Sequence, residues 1–249
     1  MHLTSKTTLV AALLAVWSGA WAQDRTEAAK AEPDFTLSYN AGVVTDYRYR
    51  GVSQTRLRPA LQGGIDFAHK SGFYVGTWAS TIKWIKDSGG HGDIEWDLYG
   101  GYKGTAGPVG YDVGVLRYQY PDNGLNPSAN TTELYVAGTL GPATLKYSHA
   151  VTNLFGFADS KGSGYLDLSA TFDLGNGYSL VPHVGHQAVR HNTGFSYADY
   201  SVTLGKDFGN GFSVSAAAVG TDIDHVHYLS PEGKRLGRAG LVLGAKYSF

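Results

Sequence analysis

The chain has 249 residues and a formal net charge of −1, with 20 Lys and Arg against 21 Asp and Glu. This balance gives no basis for a nucleic-acid partner, and the absence of Cys excludes a disulfide framework. Gly and Tyr are abundant, at 34 and 17 residues, while only 16% of residues are charged. This composition fits a membrane-spanning β-barrel.

The N-terminal residues have the pattern of a secretory signal peptide. The apolar stretch TTLVAALLAVW, residues 7–17, follows a lysine, and Ala20 and Ala22 supply the small residues of a cleavage site. We therefore expect residues 1–22 to be removed on export, with an uncleaved N-terminal anchor as the alternative. The polar residues 23–34 are expected to form a flexible periplasmic lead-in.

The first predicted strand is an unusually long alternation over residues 35–50. Soluble strands are typically about 5–6 residues long, whereas a tilted barrel strand can cross the membrane and project beyond it. One parity is apolar and ends in Tyr47 and Tyr49, which we expect to meet lipid headgroups. The other parity carries three ionised side chains: Asp46, Arg48 and Arg50.

Further period-two runs follow along the chain, as expected for successive strands with two different faces. The clearest are residues 61–68, 94–103, 166–173, 212–218 and 241–249. The alternation of apolar and polar residues is less regular at residues 73–82, 111–120 and 178–187. For these strands we do not predict which residues face lipid and which face the interior.

The connections between these runs alternate strictly between short turns and long polar segments. Short turns lie at 70–72, 104–110, 141–142, 175–177 and 209–211, and long segments at 51–58, 86–93, 121–132, 152–164, 189–197 and 222–238. Five short and six long connections predict an all-β fold, a transmembrane antiparallel up-and-down β-barrel of about 12 strands spanning residues 35–249, with periplasmic termini. A soluble β-sandwich or lipocalin-like barrel is the alternative, but neither requires this alternation.

The C-terminal sequence GLVLGAKYSF ends in Phe on a predicted strand. Gly244, Tyr247 and Phe249 have the spacing G-x-x-Y-x-F, which resembles the C-terminal signal that barrel-assembly machinery reads. Val242 stands where that pattern usually has a polar residue. An ordinary aromatic C-terminal strand is the alternative.

Four segments carry a family resemblance. NAGVVTDYRYRGVSQT (residues 40–55), PALQGGID (59–66), SGFYVGTWAS (71–80) and EWDLYGGY (95–102) resemble the TorF-type putative porins, proteobacterial outer-membrane proteins that form a conserved family of unknown function. The resemblance covers residues 35–249 and implies an outer-membrane barrel with a porin role. It implies no particular substrate and no catalytic residues.

Charged residues on the polar parity are the candidate site. They are Asp46, Arg48, Arg50, Asp66, Glu95, Asp97 and Lys103. A lysine or arginine on the lipid face near the midplane costs about 2–4 kcal/mol, so we expect these side chains to line a constriction in the lumen. We expect one of the two arginines to pair with Asp66, and Lys103 to pair with Glu95 or Asp97. An ion-pair network that merely fills the interior is the alternative.

Two other kinds of site were weighed. Asp222, Asp224, His225 and His227 could offer ligands to Zn or Cu, but a solvated polar loop is the favoured interpretation, and no metal or cofactor is predicted. Ser148 and His149 are neighbours and so face opposite ways on a strand. No catalytic residues are therefore predicted, and the protein is not expected to be an enzyme.

Aromatic residues near the predicted strand ends suggest interfacial girdles. They are Trp78, Trp84, Trp96, Tyr102, Tyr147, Tyr247 and Phe249.

The predicted function is a narrow channel in the Gram-negative outer membrane for passive diffusion of small polar or charged solutes. Twelve strands lie between eight, which leave a filled interior, and 16–18, which leave an open channel. Its partners would be outer-membrane lipids, the barrel-assembly machinery and the solutes themselves. The alternatives are a non-transporting structural or adhesive barrel plugged by its own charged side chains, and an outer-membrane lipid hydrolase.

Overall fold

The computed structural model describes residues 33–249, so the predicted signal peptide and nearly all of the predicted lead-in lie outside the described residues. In this part of the chain the structure is almost entirely β. The elements are β1 (Phe35–Val44), β2 (Arg48–Tyr49), β3 (Val52–Ser53), β4 (Ala60–His69), β5 (Phe73–Thr81), α1 (Trp84–Asp87), β6 (Ile94–Ala106), β7 (Val109–Gln119), β8 (Thr131–Leu140), β9 (Ala143–Ala150), β10 (Gly164–Ala170), β11 (Phe172–Gly175), β12 (Tyr178–Ala188), β13 (Tyr197–Asp207), β14 (Phe212–Thr221) and β15 (Gly240–Ser248).

These strands form a closed antiparallel barrel. Each barrel strand pairs with its neighbours along the chain, and β1 pairs with β15 from Asn40↔Ser248 to Val44↔Gly244. Segments β10 and β11 are separated only at Thr171 and both pair with β12, so together they make one barrel strand. With the small β2–β3 hairpin set aside, the barrel has 12 strands, and the predicted fold is confirmed.

Short and long connections lie at opposite ends of the barrel. The five short turns include Asn176-Gly177, where both residues have positive φ, 53° and 74°. This is the geometry of a type I′ hairpin turn, which Asn-Gly favours. The six longer connections lie at the other end, called here the long-loop end, and the predicted alternation is confirmed.

Alternation places the apolar side chains on the outside of the barrel. On β1, Leu37 and Val43 are 48% and 43% exposed, and on β15 Leu241 and Leu243 are 66% and 48% exposed. Similar exposed apolar side chains recur on strands around the barrel. An apolar band of this extent fits a lipid-facing surface and is far larger than the patches of soluble monomers.

The aromatic residues divide between the two faces. Trp96, Tyr147, Tyr247 and Phe249 are exposed, and Tyr102 packs against the outward-facing Phe73 with ring centroids 5.0 Å apart. Trp78 and Trp84 do not lie on the outer face.

Trp78 is 8% exposed and belongs to the buried core, against which Trp84 packs. The expectation that these two residues join a lipid girdle is therefore wrong, because both face protein.

The buried apolar residues gather at the long-loop end. The largest cluster joins Tyr47 of the first connection to Ile82 just before α1, to Ile85 within α1 and to Tyr118 near the end of β7. The remainder of the barrel interior is lined mainly by polar side chains and glycines. Within residues 33–249 no helix is long and apolar enough to span a membrane, and α1 has four residues.

A lysine introduced on the outer face of β13 should destabilise the barrel more than a lysine introduced on its inner face. Val202, at the middle of the strand, is 48% exposed on the outside, whereas the adjacent Thr203 lines the interior. We expect Val202→Lys to lower the free energy of unfolding by about 2–4 kcal/mol and Thr203→Lys to change it little, because only the first places an ammonium in lipid. Urea unfolding of the barrel refolded into lipid vesicles measures both, and equal losses would contradict the assigned facing.

Candidate functional site

The first strand ends earlier than its sequence pattern predicts. After Val44 the chain turns into the barrel, and residues 45–59, called here the inner loop, carry the hairpin β2–β3. Arg50 and Gly51 form its two-residue turn, with φ of 46° and 77°. A type I′ turn needs positive φ at both positions, and a Cβ on Gly51 would lie 2.4 Å from Thr221. The predicted strand over residues 35–50 is therefore too long.

Asp46 and Arg48 hold the inner loop in its folded shape. Asp46 is 6% exposed, and its Oδ1 accepts hydrogen bonds from Ser53 at 2.6 Å and Thr55 at 3.1 Å. Arg48 forms an ion pair with Asp46. It also donates to the carbonyls of Gly51, Leu236 and Arg238, the last two in the connection between β14 and β15. These two predicted lumen residues thus lie inside the barrel and join the inner loop to itself and to the last long connection.

Tyr47 and Tyr49 point into the barrel, and the expectation that they meet lipid headgroups is wrong. Tyr47 Oη donates to Glu95 Oε1 at 2.9 Å and its ring packs edge-on against Trp78. Tyr49 Oη lies 2.6 Å from Tyr118 Oη. The inward turn after Val44 carries both rings to the polar partners inside.

Arg50 ties the tip of the inner loop to the opposite wall. Its Nη2 lies 2.7 Å from Glu133 Oε2 on β8, and its Nη1 donates to Gln187 on β12. The guanidinium also stacks over the ring of Tyr165 on β10, 4.1 Å from the centroid. The side chains of Arg50 and Glu133 are only 6% and 2% exposed. The guanidinium of arginine is planar, always charged and able to form several hydrogen bonds at once, so it suits a contact from which water is excluded.

Two further buried carboxyl groups lie beside this contact. As whole residues, Glu95 and Asp97 on β6 are as deeply buried as Glu133, each 1% exposed or less. Both oxygens of Asp97 and one oxygen of each glutamate have no hydrogen-bond partner within residues 33–249. Burial raises the pKa of Tyr47, whose phenol therefore stays protonated as a donor to Glu95. Three acidic side chains and a single arginine, Arg50, thus share this part of the interior.

The two remaining predicted residues lie nearer the short turns. Asp66 accepts a hydrogen bond from Tyr99. Lys103 lies 3.9 Å from Asp112 and over the ring of Tyr74.

The pairs predicted for Asp66 and Lys103 are therefore wrong. Lys103 is level with Asp112 on β7, which supplies its carboxylate, and not with the acids of its own strand near the long-loop end. The inner loop carries both arginines away from Asp66, to Asp46 and Glu133.

Several important residues were not identified from the sequence. Glu133, Gln187, Tyr118 and Tyr165 supply the far side of the contact with the inner loop. Glu133 carried a usable signal, because it alternates with the outward-facing Leu134 and Val136 of β8.

The inner loop lies between two cavities. One, of about 410 Å³, extends along the interior and includes Lys146, Asp167, His183 and Lys246 in its lining. The other, of about 460 Å³, lies among the long loops. Tyr49 borders both. The loop therefore narrows the path through the barrel at the long-loop end.

The predicted assembly signal lies on the closing strand. The rings of Tyr247 and Phe249 are exposed on the outer face with centroids 4.9 Å apart, and Gly244 pairs with Val44 and Ser215. Recognition of these residues by assembly machinery stays a prediction.

In the histidine-containing loop, His227 Nδ1 lies 3.2 Å from Asp224 Oδ2, and the His227 ring packs against Phe195 with centroids 4.6 Å apart. In the part of the chain that the structure describes, no group of three or more His, Cys, Asp or Glu side chains is placed to hold a metal ion.

An apolar outer band, a charged interior and a closed ring of 12 strands define a membrane-spanning β-barrel. The chain belongs to the family described as "Bacterial protein of unknown function (Gcw_chp)", whose model matches residues 28–249. No curated protein matches the sequence.

Solved porin structures share the fold. The KdgM porin in complex with disordered oligogalacturonate aligns with a TM-score of 0.55 and 9% identity, covering 86% of this chain and 98% of that chain. The NanC porin aligns with a TM-score of 0.53 and 9% identity, covering 86% and 99%. At such identities the likeness shows a common barrel architecture.

The contact between Arg50 and Glu133 allows a stability test. We expect Glu133→Leu to lower the free energy of unfolding by about 3–5 kcal/mol, because it leaves a buried guanidinium without its carboxylate. The double variant Arg50→Met/Glu133→Leu should recover most of this loss, since neither charge then remains buried. Urea unfolding of the four members of this mutant cycle gives the coupling energy. Additive losses would show that the two side chains do not interact.

Proposed function

We propose that the protein is a porin-like narrow channel of the outer membrane for passive diffusion of small polar or charged solutes. The observation that carries this proposal is the cavity of about 410 Å³ along the barrel interior, whose lining includes the ionisable side chains of Lys146, Asp167, His183 and Lys246. A barrel that only anchored loops would not need a charge-lined space along its axis. Mixed charges suit small hydrated solutes, which exchange part of their water for side-chain contacts.

Three further findings support the proposal. The architecture is that of the KdgM and NanC porins, and four sequence segments resemble the TorF-type putative porins. The signal-peptide pattern at residues 1–22 and the C-terminal aromatic pattern are those of exported barrels inserted by the assembly machinery. We therefore place the protein in the outer membrane, surrounded by its lipids.

We assign the constriction to the inner loop and the walls that it contacts. Arg50 contributes one positive charge between Glu133 and the rings of Tyr49 and Tyr165. Glu95 and Asp97 place two buried carboxyl groups on the adjacent wall. Asp46 and Arg48 act by holding the loop. Asp66 and Lys103 line the interior below it, where they add to the field along the path.

A second candidate function rests on the same loop. Arg50 bonds to Glu133, and Tyr49 bonds to Tyr118, so the tip of the inner loop is held on the opposite side of the barrel. If these contacts never open, the barrel is a closed structural or adhesive protein whose own side chains plug it.

Planar-bilayer conductance of the purified, refolded protein separates the two functions. We expect small discrete conductance steps, which Arg50→Ala enlarges by removing the side chain that crosses the path. The same substitution should shift the reversal potential in a salt gradient toward cation selectivity, because Glu133 then loses its counter-charge.

Arg117→Ala is the matched control for that experiment. Arg117 shares the outward parity of Val115 on β7 and bonds to Gln119 and Thr132, so its loss should leave conductance unchanged. Absence of discrete steps in both the natural protein and Arg50→Ala would overturn the channel and favour the plugged barrel.

We further propose that the barrel does not hydrolyse lipids. Ser148 is buried in the wall, whereas His149, with its ring near Tyr147, faces outward, so the two cannot act together. Incubation with outer-membrane lipids should release no fatty acid above the level of vesicles alone. Release that is abolished by Ser148→Ala would contradict this.

A further inference from the structure

Asp97 is an ionisable side chain that is sealed inside the barrel without a partner. It is 0% exposed, and neither of its carboxyl oxygens has a hydrogen-bond partner within residues 33–249. Glu133 and Glu95 differ, because one oxygen of each is bonded, to Arg50 and to Tyr47. A carboxylate that has neither water nor a partner is so unfavourable that the group keeps its proton instead. In this arrangement Asp97 is therefore a neutral acid.

The inner loop covers the surroundings of Asp97. On the two strands beside β6, the residues directly opposite Asp97 are Trp78 and Tyr118. Tyr47 of the inner loop packs edge-on against Trp78, with ring centroids 5.4 Å apart, and Tyr49 packs in the same way against Tyr118, with centroids 5.5 Å apart. Each ring that flanks Asp97 is thus covered by a tyrosine of the loop. Displacement of the loop would uncover both rings and admit water to the carboxyl group.

The groups around Asp97 oppose its ionisation while the loop is in place. Those that can ionise are Glu95 and Tyr99 on β6, Tyr118 and Tyr120 at the end of β7, Glu133 on β8, and Tyr47, Tyr49 and Arg50 of the inner loop. The neighbour on β5 is Trp78, which does not ionise. Arg50 is already bonded to Glu133 and Gln187. A second negative charge beside Glu133 is unfavourable, so Asp97 can ionise only when water replaces the loop.

We propose that a proton on Asp97 keeps the inner loop closed and that loss of this proton lets the loop open, called here the Asp97 switch. With the loop open, Asp97 is in water, where an aspartate ionises at about pH 3.9. Above that pH the closed state therefore binds one more proton than the open state, and a rise in pH favours the open state. The inference deepens the proposed function, on which it rests, because the inner loop forms the proposed constriction.

Single-channel conductance of the full, refolded chain at a series of pH values tests the Asp97 switch. From about pH 6 to about pH 8 the ratio of closed to open time should fall by up to about tenfold per pH unit, because the two states differ by one proton. Asp97→Asn keeps the size of the side chain but cannot ionise. This variant should stay mainly closed at the higher pH and lose most of the pH dependence.

Asp122→Asn is the matched control for Asp97→Asn. It makes the same chemical change on an exposed carboxyl group in the connection between β7 and β8, and the φ of 53° at this position is one that Asn tolerates. The pH dependence of this variant should equal that of the natural protein. If Asp97→Asn does not refold, Asp97→Leu takes its place, since an apolar side chain suits a sealed site and cannot ionise either.

A labelling experiment follows the inner loop without relying on conductance. The chain has no Cys, so Val52→Cys places a single thiol in the inner loop, at a site that is 7% exposed. Its rate of reaction with a maleimide is divided by the rate of Val226→Cys, whose site is 78% exposed, which corrects for the ionisation of the thiol. This ratio should rise with pH in the natural background and stay low when Asp97→Asn is added.

The outcomes separate the Asp97 switch from the channel itself. Discrete conductance whose pH dependence survives the substitution of Asp97, or a labelling ratio that does not change with pH, would overturn the switch and leave the channel standing. A labelling ratio that rises with pH only while Asp97 is present, in a barrel without conductance, would support the switch and overturn the channel.

Discussion

The pairing of β1 with β15 is the interaction on which the rest of the structure depends. In a hydrocarbon environment each unpaired backbone N–H or C=O costs several kcal/mol, so a sheet can span a membrane only when it has no edge. The register from Asn40↔Ser248 to Val44↔Gly244 joins the first barrel strand to the last and removes both edges. Closure then divides every strand into an outer and an inner face, which decides where apolar and charged side chains can lie.

The same division explains why the interior is crowded with charge. Once the outer face is apolar, the inner face must accommodate the ionisable residues, and many of them pair across strands, as Lys103 does with Asp112. The inner loop adds the contact between Arg50 and Glu133, which no pair of adjacent strands could make. A loop that enters the barrel can thus place a charged side chain, here Arg50, in the interior without any change in the strands.

The barrel could be predicted from the sequence because its signals are local. The alternation of apolar and polar residues along each strand, and the alternation of short turns with long connections, can both be recognised in short stretches of sequence. The structure has both patterns. The end of β1 could not be predicted, since the apolar and polar parities continue unbroken through Tyr49 and Arg50. The chain leaves the barrel wall after Val44 because of tertiary contacts of the inner loop, whose tip at Arg50-Gly51 lies against Thr221 and bonds to Glu133. Glu133, by contrast, had a local signal in its alternation with Leu134 and Val136.

The position of Tyr49 links the two cavities physically. Its ring borders both the interior cavity and the cavity among the long loops, and its hydroxyl meets Tyr118 beside Glu133. Two consecutive residues of the hairpin, Tyr49 and Arg50, thus hold the inner loop against two neighbouring strands of the wall, β7 and β8. The separation of the two cavities depends on these contacts of one hairpin.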